Sequence, residues 1–178
     1  CAAVPENLIE SELFGYKKGA FTGAIYSGKV GRIELSENGT LFLDEIGNLP
    51  PNLQSKLLVA LQNRSIMPVG GTKEVPIDIR LISATNARIE ELLSSGSFRE
   101  DLLYRINTIH IEIPPLRERL EDIEVLSSFF LNKYGKKYNR EDLGFSTQVI
   151  QKMKEYLWPG NIRELEHTVE KAVILSNG

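Results

Sequence analysis

The stretch Gly39-Thr40-Leu41-Phe42-Leu43-Asp44-Glu45 is an apolar run that ends in two adjacent carboxylates. Turn-forming residues bound it, with Asn38 before it and Gly47 after it. A short apolar run with such boundaries predicts a strand that is buried on both faces of a parallel sheet. The two carboxylates then lie at the carboxyl end of the strand, which is the edge where ligands bind in open α/β sheets.

Two interpretations of this carboxylate pair are open from the seven residues alone. In nucleotide hydrolases an aspartate at a strand end holds the metal ion, and a neighbouring group orients the attacking water. On that interpretation Asp44 binds the metal and Glu45 activates the water. Alternatively, both carboxylates only cap the helix that follows, because acidic side chains favour a helix start.

The composition excludes several classes of protein. The 178 residues suffice for one domain, or for one domain with a small second unit. A net charge of -3 is atypical of a nucleic-acid-coating surface, which is normally basic. No apolar run approaches the roughly 20 residues that span a bilayer, so we expect a soluble, cytoplasmic protein without a membrane partner. The single cysteine, Cys1, excludes an internal disulfide and a cysteine metal site.

Apolar periodicity predicts helices on both sides of the carboxylates. One covers residues 5–15 and ends at a glycine, and a second starts at Pro50-Pro51-Asn52. From about residue 116 the pattern is helical to the end, and Ser146 is the expected cap of one helix. The predicted apolar stripes, in chain order, are Leu8, Ile9, Leu13 and Phe14; Leu53, Leu57, Leu58 and Leu61; Leu120, Ile123, Leu126 and Phe130; Val149, Ile150, Met153 and Leu157; and Ile162, Leu165, Val169 and Val173.

Further strands are predicted downstream of the carboxylates. Turn signals over residues 66–76 predict a hairpin-like excursion, and 79–86 predicts a second buried strand that ends in Thr85-Asn86. Polar side chains there can hydrogen-bond a phosphate oxygen or the attacking water; alternatively they form an Asx-type turn into a helix at 88–95. Residues 107–113 alternate apolar with polar before two prolines, which predicts a third strand.

A loop of small residues precedes the first strand. It reads Gly19-Ala20-Phe21-Thr22-Gly23-Ala24, with a single aromatic side chain and a single hydroxyl group. Small residues let the backbone turn tightly, whereas an exposed phenylalanine needs something to cover it. Phe21 therefore either folds back onto the core or contacts another protein.

Three stretches occur in order along the chain: Glu10–Gly15, Gly19–Ala24 and Gly39–Ile46. Together they resemble the AAA+ domain of bacterial enhancer-binding proteins, the ATPases that activate sigma-54 RNA polymerase. The resemblance covers nearly the whole chain, and its GAFTGA stretch is specific to that group. It implies an α/β, P-loop-type parallel sheet domain over residues 1–115, followed by a small α-helical lid over 116–178.

The resemblance implies roles for the polar residues at the strand ends. Asp44 and Glu45 match the Walker B pair, which holds Mg2+ and activates water for ATP hydrolysis. Thr85 and Asn86 match the sensor that contacts phosphate or water. Arg163 matches the lid arginine that senses the phosphates; from the residues alone, it pairs with a nearby glutamate, Glu166 or Glu170.

Two further arginines match a motif of the same family. Arg99 and Arg105 flank an amphipathic turn, and from the residues alone they form surface salt bridges with Glu100 or Asp101. The resemblance implies instead that both act in trans on the nucleotide of a neighbouring subunit. An arginine supplied in this way stabilises charge on the transferring phosphoryl group and raises the rate roughly a thousandfold or more. A ring of six or seven subunits is therefore expected.

The resemblance also implies partners. The loop Gly19–Ala24 contacts sigma-54 in the RNA polymerase holoenzyme, so that ATP hydrolysis remodels the closed promoter complex. Proteins of this group bind DNA through a separate helix-turn-helix domain, which this chain does not contain. A DNA-binding module is therefore disfavoured here, as the net charge of -3 also indicates.

The chain departs from the family pattern in its phosphate-binding part. It contains no G-x-x-x-x-G-K-[ST] stretch, which binds the β- and γ-phosphates, and its first residue is not methionine. We therefore expect a fragment that begins after this motif, and also after an asparagine that restrains the catalytic glutamate in the family. Such a fragment is catalytically incomplete alone. The alternative is a non-hydrolysing interaction module that presents the GAFTGA loop to a partner.

Overall fold

A computed structural model of the protein describes residues 5–20 and 27–176. The chain divides into two compact units, Cys1–His110 and Ile111–Gly178. The first, the α/β unit, combines helices with short strands; the described part of the second, the helical unit, has no strands. The predicted domain division after residue 115 stays a prediction. Within the described ranges, no helix is long and apolar enough to cross a membrane.

The α/β unit is built of short elements. Its helices are α1 (Glu6–Phe14), α2 (Arg32–Leu35), α3 (Pro51–Asn63), α4 (Ile89–Ser94) and α5 (Glu100–Ile106). Its strands are β1 (Gly15–Tyr16), β2 (Lys29–Val30), β3 (Thr40–Leu43), β4 (Ser65–Ile66), β5 (Val75–Pro76) and β6 (Arg80–Ser83). A single 3-10 turn, Ile46–Asn48, lies between β3 and α3 in this described part of the chain.

The two predicted inner strands pair in parallel. Strands β3 and β6 are in register from Thr40 opposite Arg80 to Leu43 opposite Ser83. Both strands therefore end at the same edge of the sheet, as expected for the polar residues that follow them.

The expectation that the first of these strands is buried on both faces is wrong, and the second predicted buried strand is also partly exposed. Leu41 and Leu43 are buried, but Phe42 between them is 58% exposed and Ile82 opposite it is 43% exposed. Successive side chains of a strand point to opposite faces, and the described helices bury only one face of this pair. An uninterrupted apolar run predicts a strand, but it does not show whether other elements cover one face of that strand or both.

Helix α3 contributes to the same apolar core as the buried leucines of β3. It starts at Pro51, where the missing N–H group costs no helical hydrogen bond, and runs for 13 residues. Leu53, Leu57 and Leu58 are buried as predicted, and full burial of one leucine contributes about 2 kcal/mol. Helix α1 ends as predicted at Gly15, but Leu8 on its predicted apolar stripe is 42% exposed.

The α/β unit also contains two antiparallel strand pairs. Strands β4 and β5 pair through Ile66 and Val75, which confirms the predicted hairpin. Strands β1 and β2 pair at the base of the GAFTGA loop, where the backbones of Gly15 and Gly31 come very close. A Cβ atom on Gly31 would lie 2.4 Å from the backbone nitrogen of Gly15. Glycine is therefore required at this crossing.

The predicted third strand is absent from the described structure. Residues 107–113 form no ladder, and the three isoleucines of the predicted strand are 74–80% exposed: Ile109, Ile111 and Ile113. Alternation of apolar and polar residues predicts an amphipathic strand, but a strand also needs a neighbour that accepts its backbone hydrogen bonds. The described residues offer it no such neighbour.

The helical unit has its own core. It contains α6 (Leu120–Lys137), α7 (Thr147–Glu155) and α8 (Asn161–Leu175), preceded by the 3-10 turn Leu116–Glu118. The Ser146 hydroxyl accepts a hydrogen bond from the Val149 amide, which confirms the predicted cap of α7. The buried core residues are Leu116, Ile123, Phe130, Tyr134, Trp158, Leu165, Val169 and Val173.

Three residues of the predicted stripes in this unit are exposed. Leu120 at the start of α6 is 43% exposed and Val149 in the first turn of α7 is 39% exposed. Leu157 is 68% exposed, because α7 ends at Glu155, two residues before it. The stripes are thus correct over the helix centres, whereas terminal residues escape burial.

We expect Gly31→Ala to destabilise the α/β unit by about 3 kcal/mol or more, because the added methyl group overlaps backbone atoms that have no room to move. Gly31 has an ordinary φ of -78°, so this cost is steric. Gly96→Ala is the matched control: nothing lies within 4 Å, and its φ of +69° alone costs about 1 kcal/mol. Urea unfolding followed by circular dichroism compares the two variants, and equal losses would contradict the steric explanation.

Candidate functional site

The two polar pairs predicted at the strand ends lie next to each other. The Ala84 amide donates to the Leu43 carbonyl at 3.0 Å, and the Ile46 amide donates to the Ala84 carbonyl at 2.9 Å. These bonds continue the parallel ladder past the ends of β3 and β6. Asp44-Glu45 and Thr85-Asn86 therefore leave adjacent strands at one edge, which is the arrangement that the sequence predicted.

Glu45 has an unusual backbone conformation. Its φ and ψ are 52° and 50°, in the left-handed region that few residues other than glycine adopt. The Asn48 side chain donates from Nδ2 to Glu45 Oε2 at 2.7 Å, and the Glu45 amide donates to Asp44 Oδ1 at 3.0 Å. Local strain of this kind persists where surrounding bonds determine it, often at functional sites. The half-buried Glu45 carboxylate thus has a defined orientation beside the exposed Asp44.

The carboxylates do not cap the following helix. The N-cap residue of α3 is Pro50, and no side chain makes a cap hydrogen bond there. The 3-10 turn that begins after Glu45 also lacks a side-chain cap. The alternative interpretation of Asp44 and Glu45 as capping residues therefore fails.

Thr85 takes part in a local turn. Its Oγ1 accepts a hydrogen bond from the Ala87 amide at 3.2 Å, so the predicted turn exists, but through Thr85 and not through Asn86. Gly47 packs closely against it, since a Cβ atom there would lie 2.9 Å from Thr85 Oγ1 and 2.8 Å from Leu92 Cδ1. The loop after the carboxylates is thus in direct contact with the second polar pair.

Arg99 forms the salt bridge that the sequence offered as one interpretation. Its Nε and Nη2 donate to the two carboxylate oxygens of Asp101 at 2.9 Å and 2.6 Å, and its Nη1 donates to Ser55 Oγ at 3.2 Å. Hydrogen bonding and charge attraction within this bidentate pair raise the pKa of Arg99 and hold the pKa of Asp101 below its usual value. Neither side chain is buried, so the pair orients Arg99 at the surface.

Arg105 is bonded near the carboxyl end of helix α3, whereas Ser55, which Arg99 contacts, lies near the start of that helix. It lies in the last turn of α5, and its Nη2 donates to the Leu61 carbonyl near the end of α3 at 2.8 Å. A cation is favourable at the carboxyl end of a helix because the helix dipole is negative there. Both predicted arginines are therefore attached to α3, one near its start and one near its end.

Gln54 is a polar residue of this region that sequence reasoning missed. It is fully buried in α3 and hydrogen-bonds the backbone of three other residues. The signal was available, since Gln54 lies four and seven residues before Leu58 and Leu61 of the apolar stripe. A polar side chain on such a stripe is informative, because its burial requires hydrogen-bond partners.

Arg163 lies in the helical unit, in the first turn of α8, and is exposed. The glutamates proposed as its partners are bonded elsewhere: Glu166 accepts from Lys133 at 2.7 Å, and Glu170 accepts from Lys137 at 2.9 Å. A salt bridge from Arg163 to Glu166 or Glu170 is thus not observed in the described helical unit. Its role in sensing phosphate stays a prediction.

The GAFTGA loop is described only at its start. Ala20 lies against the turn that follows β4, since a Cβ atom on Gly70 would be 2.9 Å from the Ala20 Cβ. The Lys17 amide donates to the Val69 carbonyl at 3.0 Å, which attaches the loop base to the same turn. Gly19 precedes this contact, whereas Phe21, Thr22, Gly23 and Ala24 lie outside the described residues.

No group of three or more metal-binding side chains occurs among residues 5–20 and 27–176. Mg2+ does not need such a group, because it binds through one or two carboxylates together with substrate phosphates. The exposed Asp44 at the strand edge is a suitable oxygen ligand of that kind.

A parallel sheet with carboxylates at its carboxyl edge, followed by a helical unit, is the architecture of AAA+ ATPase domains. The Brucella abortus NtrX crystal structure matches with a TM-score of 0.90 and 33% identity over 99% of this chain and 39% of NtrX. NtrX in complex with ATP matches with a TM-score of 0.87, again at 33% identity, over 99% of this chain and 38% of NtrX. The predicted fold class is confirmed.

The chain belongs to the sigma-54 interaction domain family, whose model matches residues 1–112, and an AAA+ ATPase lid domain matches residues 117–178. It is 48% identical to the DNA-binding transcriptional activator HyfR of Escherichia coli (strain K12), over 100% of this chain and 26% of HyfR. It is also 48% identical to the transcriptional regulatory protein ZraR of Klebsiella oxytoca, over 100% of this chain and 40% of ZraR. The predicted family is confirmed, and the chain spans about a quarter to two-fifths of these relatives.

We expect Arg99→Ala to raise the pKa of Asp101 toward its ordinary value of 3.8, because the variant lacks the bidentate hydrogen bonds. The rise is partial, since the Leu102 amide still donates to Asp101 Oδ1. The pair is intact above the lowered pKa and is lost as the pH falls through it. NMR titration of the Asp101 side chain measures the shift. Arg105→Ala is the control and leaves the Asp101 pKa unchanged; an unchanged pKa in Arg99→Ala would contradict the pairing.

Proposed function

We propose that this chain is the central part of a transcriptional activator, where it hydrolyses ATP and contacts sigma-54 to remodel the closed RNA polymerase complex. One observation carries this proposal: a chain of the sigma-54 interaction domain family has Asp44-Glu45 and Thr85-Asn86 at one edge of a parallel strand pair. That edge is where nucleotides bind in α/β sheets. ATP is the proposed substrate, and Mg2+ is the proposed cofactor.

The carboxylates have separate roles in this proposal. Asp44 would hold Mg2+, which neutralises charge on the phosphates when it is bound. Glu45 would orient the attacking water and accept its proton. Its left-handed backbone and the hydrogen bond from Asn48 support this role, because a general base needs a fixed carboxylate.

The polar pair on the neighbouring strand would read the state of the nucleotide. Thr85 and Asn86 carry hydrogen-bond donors next to the carboxylate loop, where a terminal phosphate or the attacking water can accept them. The contact between Gly47 and Thr85 gives a direct route from the sensor to the loop that bears Glu45. Arg163 would add a cation from the lid.

Arg99 and Arg105 would act on the nucleotide of a neighbouring subunit in a ring of six or seven. Both are exposed and are attached to α3, so their positions depend on the same helix. For this role Arg99 must exchange its bonds to Asp101 for bonds to phosphate. Phosphate offers more negative charge than a carboxylate, which favours the exchange when ATP is present.

The chain itself contains no G-x-x-x-x-G-K-[ST] stretch. We infer that the full-length protein supplies the phosphate-binding backbone and lysine from residues outside this sequence, because the chain spans only 26% of HyfR and 40% of ZraR. The second candidate, favoured by the missing motif alone, is an interaction module that presents the GAFTGA loop without hydrolysis. DNA binding would belong to another domain.

We expect Glu45→Gln to abolish ATP turnover by the full-length protein, because an amide cannot accept the proton of the attacking water. Turnover by the unsubstituted protein rises more than linearly with protein concentration if the arginines act between subunits. The exposed Glu90→Gln serves as the matched control and keeps wild-type turnover. A phosphate-release assay over a range of protein concentrations measures both effects. Absence of ATP turnover at every protein concentration tested would favour the interaction module.

We expect Thr22→Ala to abolish binding of sigma-54 while ATP turnover stays within about twofold of wild type, since the GAFTGA loop is proposed to contact the partner and not the nucleotide. Ser27→Ala is the control, because it removes an exposed hydroxyl from the same segment between β1 and β2 but lies outside the GAFTGA loop. Fluorescence anisotropy with labelled sigma-54 measures binding beside the turnover assay. Loss of both activities together would contradict the separation of roles.

A further inference from the structure

The buried side chain of Gln54 uses its whole amide group. Its relative exposure is 0%, and its Nε2 donates to the Leu49 carbonyl at 2.7 Å and to the Ser97 carbonyl at 2.8 Å. Its Oε1 accepts from the Arg99 amide at 2.8 Å. Two donors on one atom and an acceptor on the other are supplied by an amide, and no carboxylate or apolar side chain of this length provides them.

These three bonds connect two segments of the proposed site. Leu49 follows the 3-10 turn that leaves Asp44 and Glu45. Ser97 and Arg99 lie 43 and 45 residues beyond Gln54, in the turn that enters α5. Arg99 is the N-cap residue of α5, so its amide is bonded to Gln54 and not to its own helix.

The guanidinium of Arg99 is attached to the same place. Ser55, the residue after Gln54, accepts from Arg99 Nη1, and Asp101 accepts from the other two nitrogens. Backbone and side chain of Arg99 are therefore both bonded to the start of α3. The backbone bond is buried on the Gln54 side, whereas the side-chain bonds are exposed and exchangeable.

We propose that Gln54 is a positioning residue for Arg99. Gln54 holds the Arg99 backbone at the subunit surface, so that the Arg99 guanidinium reaches the nucleotide of the neighbouring subunit. This inference rests on the proposed role of Arg99 in trans. Gln54 touches no substrate itself. A displacement of about 1 Å at a reacting group reduces rates by on the order of a hundredfold, so loss of one buried amide is enough to impair turnover.

Gln54→Glu in the full-length protein tests the inference. The carboxylate has the same shape, but it opposes the two carbonyl oxygens of Leu49 and Ser97. We expect ATP turnover to fall about a hundredfold while the affinity for nucleotide changes less than about twofold. Gln62→Glu, an exposed glutamine in the same helix, is the matched control and keeps wild-type turnover. Wild-type turnover in Gln54→Glu would overturn the inference.

The pH profile gives a second readout. A buried carboxyl group that faces two carbonyl oxygens is favoured in its protonated form, which donates one hydrogen bond again. Turnover of Gln54→Glu, expressed relative to wild type at each pH, therefore rises as the pH falls. A flat ratio would overturn the positioning role.

Mixed rings separate an effect on Arg99 from an effect on the carboxylate loop. Gln54→Glu subunits retain Glu45, and Glu45→Gln subunits retain a correctly placed Arg99. If Gln54 acts through Arg99, mixing the two inactive variants restores turnover at their shared interfaces. If Gln54 acts through Leu49 on its own carboxylate loop, mixing restores nothing and the inference is overturned.

Arg99→Ala distinguishes failure of the inference from failure of the proposed function. Wild-type turnover in Arg99→Ala would overturn the role of Arg99 and everything that rests on it. Loss of turnover in Arg99→Ala but not in Gln54→Glu would overturn the inference alone. If Gln54→Glu does not fold, Gln54→Met fills the same volume without charge; failure of both to fold would overturn the inference in favour of a purely structural role.

Discussion

The parallel register of β3 and β6 is the constraint on which the candidate site depends. It sets Leu43 opposite Ser83, and the ladder continues through Ala84 to Ile46. Because parallel strands end at one edge, two polar pairs that are 41 residues apart in sequence lie next to each other. A shift of one residue would turn the buried leucine side chains toward the opposite face, so packing fixes the same register.

Helix α3 extends this arrangement to the rest of the α/β unit. It begins just after the carboxylate loop and leads directly into the β4–β5 hairpin beside the GAFTGA loop. Arg99 donates a hydrogen bond to it near its start, and Arg105 donates one near its end. Its buried leucines belong to the same apolar core as Leu41 and Leu43 of β3. The helix therefore contacts each of these regions, and displacement of its axis would move the arginines and the hairpin base together.

Sequence alone predicted the parts of the structure that local rules determine. The glycine end of α1, the start of α3 at Pro51 and the polar edge after β3 follow from residue types and spacing. The predictions that Phe42 is buried and that residues 107–113 form a strand were wrong. Periodicity describes the faces of a segment, but it does not show which other segment covers a face or pairs with the backbone. The salt bridge from Arg99 to Asp101 was one of the predicted alternatives, but the bond from Arg99 to Ser55 and the three bonds of Gln54 were not predicted, because hydrogen bonds between distant segments exist only after folding.

The bond between Glu45 and Asn48 joins residues of a single turn. Four consecutive residues, Glu45 to Asn48, contain the local bond that orients the carboxylate, and the Ile46 amide attaches the same turn to Ala84 on the neighbouring strand. Glycine at position 47 lets this turn lie close to Thr85 and Leu92, which follow β6 in the chain. A change on the neighbouring strand that moves Ala84 or Thr85 would therefore alter the direction of the Glu45 carboxylate without any substitution in the turn itself.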